Sequence, residues 1–247
     1  MLAASVYWKT PHRRVLVAPS GRTLVILAAG QSNAGNYAAK LTRSEHGSHL
    51  IEYFRGGMHV ADDPLLGGDG LLGSPWVALG NGLLDTGKYD DVVIALAVKS
   101  GTSIEQWRKG GSLNETLADA SAQLAMAGMP ADIVTWVQGE EERLPSSNYR
   151  ESSRYAEALS EVIATVRRNA PQSKFYVTQA SWCPFDSEHP GPIASIRQAQ
   201  ASVIGGNVLA GPDLDAIRDR ADRRDNCHLS EQGLRKFVAA WLRILVP

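Results

Sequence analysis

Cysteine is nearly missing from this chain: Cys183 and Cys227 are the only two in 247 residues. Two cysteines cannot form the framework of bridges that holds small secreted domains together, so the fold must rest on a packed core. Free thiols are the default expectation, with pairing reserved for an exported protein. No apolar run reaches the length of a membrane-spanning helix. Neither charge is in excess, with 25 Lys and Arg against 26 Asp and Glu. That removes the electrostatic footprint of a nucleic-acid or anionic-membrane binder, so neither partner is expected. A phosphate-cradling P-loop and a Gly-x-Ser-x-Gly elbow are both missing, which argues against nucleotide hydrolysis and the α/β-hydrolase fold. Internal repeats, low-complexity tracts and a clear linker are also lacking. The chain reads as one α/β domain over 1–247, with 1–20 as an N-terminal extension. Met1–Lys9 makes a poor export signal, having no basic start, a short apolar stretch and Arg13-Arg14 behind it. The default compartment is cytoplasmic, with secretion the alternative if a leader has been removed.

The chain is 44% hydrophobic and 21% charged, enough to bury a sizeable core. Short β-type runs alternate with helical stripes. Candidate strands are Thr23–Ala29, Ile51–Phe54, Asp91–Val98, Asp132–Val137, Lys174–Ala180 and Asn207–Ala210. The run over Asp91–Val98 is continuously apolar after its first residue, as expected of a strand covered on both faces. Helical stripes run through Trp76, Leu79, Leu83 and Leu84, and from about Asn114 to a stop at Gly128. Others run through Tyr155, Leu159, Val162, Ile163 and Val166, and from about Ser230 to Leu245. The alternation predicts a three-layer α/β/α sandwich around a mainly parallel sheet of about five strands. In such sheets ligands meet the carboxyl ends of the strands, so the residues just after each strand are the ones to read.

After the first strand comes Gly30-Gln31-Ser32-Asn33, with Gly35 close behind. A serine on so sharp a strand-to-helix turn presents its hydroxyl at the sheet edge, where a base can reach it. After Asp91–Val98 comes Lys99-Ser100-Gly101-Thr102-Ser103-Ile104, whose glycine lets the backbone offer an N–H to a ligand. After Asp132–Val137 comes Gln138-Gly139-Glu140, where Gln138 can aim an amide donor across the sheet edge. Before the last helix comes Asp225-Asn226-Cys227-His228. An aspartate three residues ahead of a histidine on a tight loop can fix the imidazole tautomer and stabilise its charged form. Taken singly, each is also a helix cap, a turn glycine, a satisfied amide or surface polarity. Together, in this order, they make a complete acyl-transfer site.

These four blocks resemble those of the SGNH hydrolases, a flavodoxin-like group, and most of all its sialate O-acetylesterase-like branch, which includes carbohydrate esterase family six. The likeness runs from about Leu24 to the C-terminus. It implies a serine esterase that removes O-acetyl groups from sialic acid or a polysaccharide sugar, without metal or other cofactor. It makes Ser32 the nucleophile, His228 the base and Asp225 its partner. The backbone N–H groups of Ser32 and Gly101, with the Gln138 side chain, would form the oxyanion hole. Removing Gln138 would then cost about 2.7–4 kcal/mol of transition-state stabilisation. Val137 stands where many relatives have histidine, and Ser100 where many have a second glycine. Both changes bear on the substrate, not on the triad.

Gln31, Asn33, Arg55, Trp107, Glu140 and Trp182 are the candidate substrate contacts. Trp107 and Trp182 follow predicted strands and offer faces for a sugar, with core packing the competing reading for Trp107. Arg55 is placed to meet a carboxylate such as that of sialic acid, with a solvated arginine as the competing reading. Glu140 more plausibly holds neighbouring loops than serves as a glycosidase acid, because no second acid stands at a comparable strand end. His46, His49, His59, Asp62 and Asp63 lack metal-ligand spacing and read as a substrate-facing loop. Two other functions compete: an esterase, thioesterase or lipase of the same fold on non-sugar acyl groups, and a non-catalytic carbohydrate-binding module on the esterase scaffold.

Overall fold

The computed structural model describes residues 14–15, 18–144, 147–184 and 191–247. The stretch Met1–Lys9, read as a poor export signal, and most of the expected extension over 1–20 lie outside them. Seven strands form one sheet: β1 (Thr23–Gly30), β2 (Leu50–Phe54), β3 (Gly57–Val60), β4 (Asp91–Val98), β5 (Ile133–Val137), β6 (Lys174–Gln179) and β7 (Val208–Asp213). Their order is β3-β2-β4-β1-β5-β6-β7. Every neighbouring pair is parallel except β2 and β3, an antiparallel hairpin that was not legible as a strand pair. The sheet is therefore mainly parallel, as expected, but wider than the five strands predicted.

Five helices cover it: α1 (Pro75–Asp85), α2 (Asn114–Met126), α3 (Ser152–Arg167), α4 (Ala194–Ser202) and α5 (Glu231–Leu245). Alternation along β1 divides the core in two. Leu24, Ile26 and Ala28 pack with Trp76, Leu79, Phe237 and Trp241 of α1 and α5. Val25, Leu27 and Ala29 pack with Leu117, Leu124, Tyr155, Leu159 and Ile196 of α2, α3 and α4. The caps explain where helices begin and end. Ser74 accepts the Trp76 N–H ahead of Pro75, and Ser230 accepts the Gly233 N–H. Past α2, Gly128 adopts φ 74°, and Met129 N–H reaches the Leu124 carbonyl at 2.9 Å, closing the helix in a Schellman turn. Helix α4 lacks an apolar stripe, burying only Ile196, Ala199 and Gln200, and so escapes a periodicity reading.

Candidate active site

The strand register fixes where the site must form. Gly30 pairs with Val98 of β4 and with Val137 of β5, so the segments after three adjacent strands leave the sheet at one level. Gly30 has φ 131°, and a Cβ there would lie 2.1 Å from the Val137 carbonyl oxygen. Only glycine allows that approach, which lets Gln31 N–H bond the same carbonyl at 2.9 Å. Ser32 then opens a short 3₁₀ turn, Ser32–Ala34, closed by Gly35 N–H on the Ser32 carbonyl at 2.9 Å.

The loop before α5 supplies a histidine already oriented by an acid. Asn226 takes the left-handed conformation, φ 68°, which asparagine tolerates. The turn lets Asp225 Oδ1 accept the His228 N–H at 2.7 Å and the Cys227 N–H at 3.2 Å. Asp225 Oδ2 lies 2.8 Å from His228 Nδ1. With the carboxylate accepting there, Nδ1 carries the proton and Nε2 is left as the acceptor. Burial pushes the Asp225 carboxyl up, but the His228 and Cys227 donors outweigh it and hold it below its ordinary pKa. This loop lies against the Ser32 turn. Asn33 Nδ2 reaches the Cys227 carbonyl at 3.5 Å, Ala39 N–H bonds the Leu229 carbonyl at 2.9 Å, and the Tyr37 ring stacks on His228.

The segment after β4 presents an exposed Gly101 with φ 64°. It is braced on both sides. Ser100 N–H bonds both Asp69 carboxylate oxygens, at 3.0 and 3.1 Å. Ile104 N–H and Ser103 Oγ bond the buried Glu142 carboxylate at 2.7 and 3.0 Å. Glu142 also accepts from Ser147 Oγ and, at 3.0 Å, from Gln138 Nε2.

Residues 22–243 match the family model described as carbohydrate esterase, sialic acid-specific acetylesterase. The chain belongs to this family. Among solved structures it is similar to a protein from Arabidopsis thaliana (TM-score 0.70, 18% identity), covering 91% of this chain and 98% of that one. It is also similar to a carbohydrate acetylesterase from Xanthomonas citri (TM-score 0.62, 17% identity), covering 89% of this chain and 56% of the other. A Clostridium thermocellum family 3 carbohydrate esterase aligns with TM-score 0.55 and 18% identity over 90% of this chain and 94% of that one. At such identities the likeness is one of fold. No curated protein matches the chain.

Within this carbohydrate esterase the remaining candidates separate. Gln138 departs from expectation. It is fully buried, and its Nε2 donates to the Thr102 carbonyl at 2.9 Å and to Glu142, with Gln31 Oε1 at 3.3 Å. Tyr155 O–H donates to its Oε1 at 2.8 Å. Both amide protons are committed inside the protein, so Gln138 braces the Gly101–Ile104 segment from below. Gln31 is buried beside it, accepting the Glu141 N–H at 3.3 Å.

Glu140 is buried and accepts from Asn33 Nδ2 at 2.9 Å. Desolvation, opposed by that bond, pushes its pKa up to about 7. It thus ties the segment after β5 to the residue after Ser32. Trp182 lies beside the histidine loop, with the Arg223 guanidinium 5.5 Å from its ring. Arg223 is buried and donates to the carbonyls of Ile217 at 2.7 Å, Leu214 at 2.8 Å and Cys227. Asp215 accepts the N–H groups of Ser181 and Trp182 at 2.8 and 3.0 Å.

Three expectations are corrected. Trp107 is no sugar platform: it is wholly buried, edge-on to Trp136, and bonds Thr102 Oγ1 at 2.9 Å. Arg55 follows β2, its guanidinium over the Phe54 ring and in a groove shared with Thr116, Asp119 and Gln123, and β4 stands between β2 and β1, the strand that leads into Ser32. Cys183 and Cys227 are not free thiols but a disulfide, which joins the segment after β6 to the residue preceding His228. The residues read as a substrate-facing loop bond within the protein: His46 pairs with Asp85, His49 with Asp91, and Asp63 accepts the Thr42 and Ser74 N–H groups. Tyr37, Glu142, Asp215 and Arg223 carry contacts that sequence reading did not single out. Glu142 is the last of three consecutive glutamates, Glu140-Glu141-Glu142.

Proposed function

We propose that this carbohydrate esterase removes O-acetyl groups from a sugar through Ser32, His228 and Asp225. The observation that carries the reading is the doubly bonded Asp225–His228 pair docked against the Ser32 turn. His228 Nε2 takes the Ser32 hydroxyl proton as Oγ bonds to the acetyl carbon. The carbonyl electrons move to oxygen, where the N–H groups of Ser32 and Gly101 receive the negative charge. His228 then gives its proton to the leaving sugar oxygen, and water repeats the sequence on the acyl-enzyme. Gln138 serves this hole by holding the Gly101 segment, rather than as its third donor. Trp182, beside the base, offers a face to the sugar ring.

The test is hydrolysis of p-nitrophenyl acetate by the wild type and Ser32→Ala, followed by acetate release from O-acetylated sialic acid and acetylated polysaccharide. Turnover should fall at least 10³-fold in the variant. Equal background rates in both would favour a sugar-binding module. Preference for long acyl chains would favour a lipase.

A further inference from the structure

The Tyr37 side chain touches both halves of the proposed machinery. Its ring centroid lies 5.1 Å from that of His228, with 22° between the planes. Its hydroxyl faces Ser100, on the segment that leads into Gly101, and Asp69, whose carboxylate accepts the Ser100 N–H. Burial, together with the Asp69 carboxylate, holds the phenol above its ordinary pKa against the Ser100 hydroxyl and Lys99, so it stays protonated. Its carbonyl accepts Arg224 Nε at 3.1 Å, and Nη2 of the same guanidinium lies 3.1 Å from Asp225 Oδ2. The ring is pinned from a further side. Gly70, with φ 89°, lies so close that a Cβ there would be 2.8 Å from Tyr37 Cε2 and 2.3 Å from the Asn36 carbonyl oxygen.

These contacts answer a mechanical need. The Asp225 bond fixes one edge of the imidazole but leaves the ring free to tilt about that edge. A flat aromatic face suppresses the tilt, and with it the scatter of Nε2, the atom that must meet the nucleophile. We infer that Tyr37 is a positioning residue: its ring holds the His228 imidazole in plane, while its hydroxyl and carbonyl tie that ring to the Gly101 segment and, through Arg224, to Asp225. The inference rests on the reading of His228 as the base.

The experiment compares Tyr37→Leu, which removes the ring, with Tyr37→Phe, which keeps it. Kinetics with p-nitrophenyl acetate should show kcat about ten-fold lower in Tyr37→Leu, with KM within about two-fold. Tyr37→Phe should restore kcat to within about two-fold of wild type. A second readout needs no turnover: the carbon-bound imidazole protons of His228, assigned by their loss in His228→Ala, should be shifted upfield by the tyrosine ring current. That shift should persist in Tyr37→Phe and vanish in Tyr37→Leu. Wild-type kcat in Tyr37→Leu, or His228 resonances that do not respond to loss of the ring, would overturn the inference. If the wild type is no faster than Ser32→Ala while the ring-current shift depends on Tyr37, the esterase reading has failed and the positioning contact stands.

Discussion

At the scale of single residues, Gln138 shows how a block can be legible while its role is not. Its place after β5 follows from the apolar strand and Gly139, which has φ 146° and leaves only 2.1 Å between a would-be Cβ and the Ala180 carbonyl oxygen. The donor role expected of it requires a free N–H, and both are committed to Thr102 and Glu142. Gln138→Ala would therefore strip partners from the Thr102 carbonyl, the Tyr155 hydroxyl and Glu142 at once. Urea unfolding should show a loss of about 2–3 kcal/mol in stability alongside the fall in kcat. A pure oxyanion donor would lose rate at unchanged stability. Tyr37 was invisible for another reason: nothing in Gly35-Asn36-Tyr37 says which ring it will meet, because His228 arrives from the far end of the chain.

Elements followed the sequence where local patterns carried the information. The continuous apolar strand β4, the Ser74-Pro75 start of α1 and the Gly128 stop of α2 each have a local physical cause. The hairpin strand β3 has four residues, one of them glycine, and draws its identity from pairing with β2. Helix α4 has few apolar residues and is held by its packing on α3 and β6. The disulfide left no spacing signal, since 44 residues separate its cysteines. It joins two elements that are adjacent only in the folded sheet, and in the chain-entropy model a loop of that length contributes about 4 kcal/mol. The Cys183→Ser/Cys227→Ser pair should lower the melting temperature by roughly 8–16 °C. It should also lower kcat, because Cys227 precedes His228, the proposed base. A reductant should reproduce both effects in the wild type and neither in the double variant.

For the molecule as a whole, buried carboxyl groups set the response to pH. Burial pushes Asp63 to about 7, against the Thr42 and Ser74 donors, and Glu140 likewise to about 7. Both lie above their unfolded values, so between about pH 4 and 7 the folded chain binds more protons than the unfolded one. The stability they contribute is complete below that window and is lost as the pH rises through about 7. Unfolding free energies measured at pH 5 and pH 8 should fall in the wild type. Glu140→Gln, which keeps an acceptor for Asn33 but cannot ionise, should remove up to about 3 kcal/mol of that fall. A slope identical in the two proteins would show that Glu140 does not titrate in this range.

The Asn33–Cys227 contact spans 194 residues. A site closed by so distant a pairing has high contact order: the serine turn is synthesised well before the histidine it is proposed to meet. A chain made only as far as the serine turn lacks His228, so on the proposed mechanism turnover reports that the two segments have met. On that mechanism a chain without His228 is silent, and activity recovered after dilution from denaturant counts only molecules in which the serine turn and the histidine loop are joined.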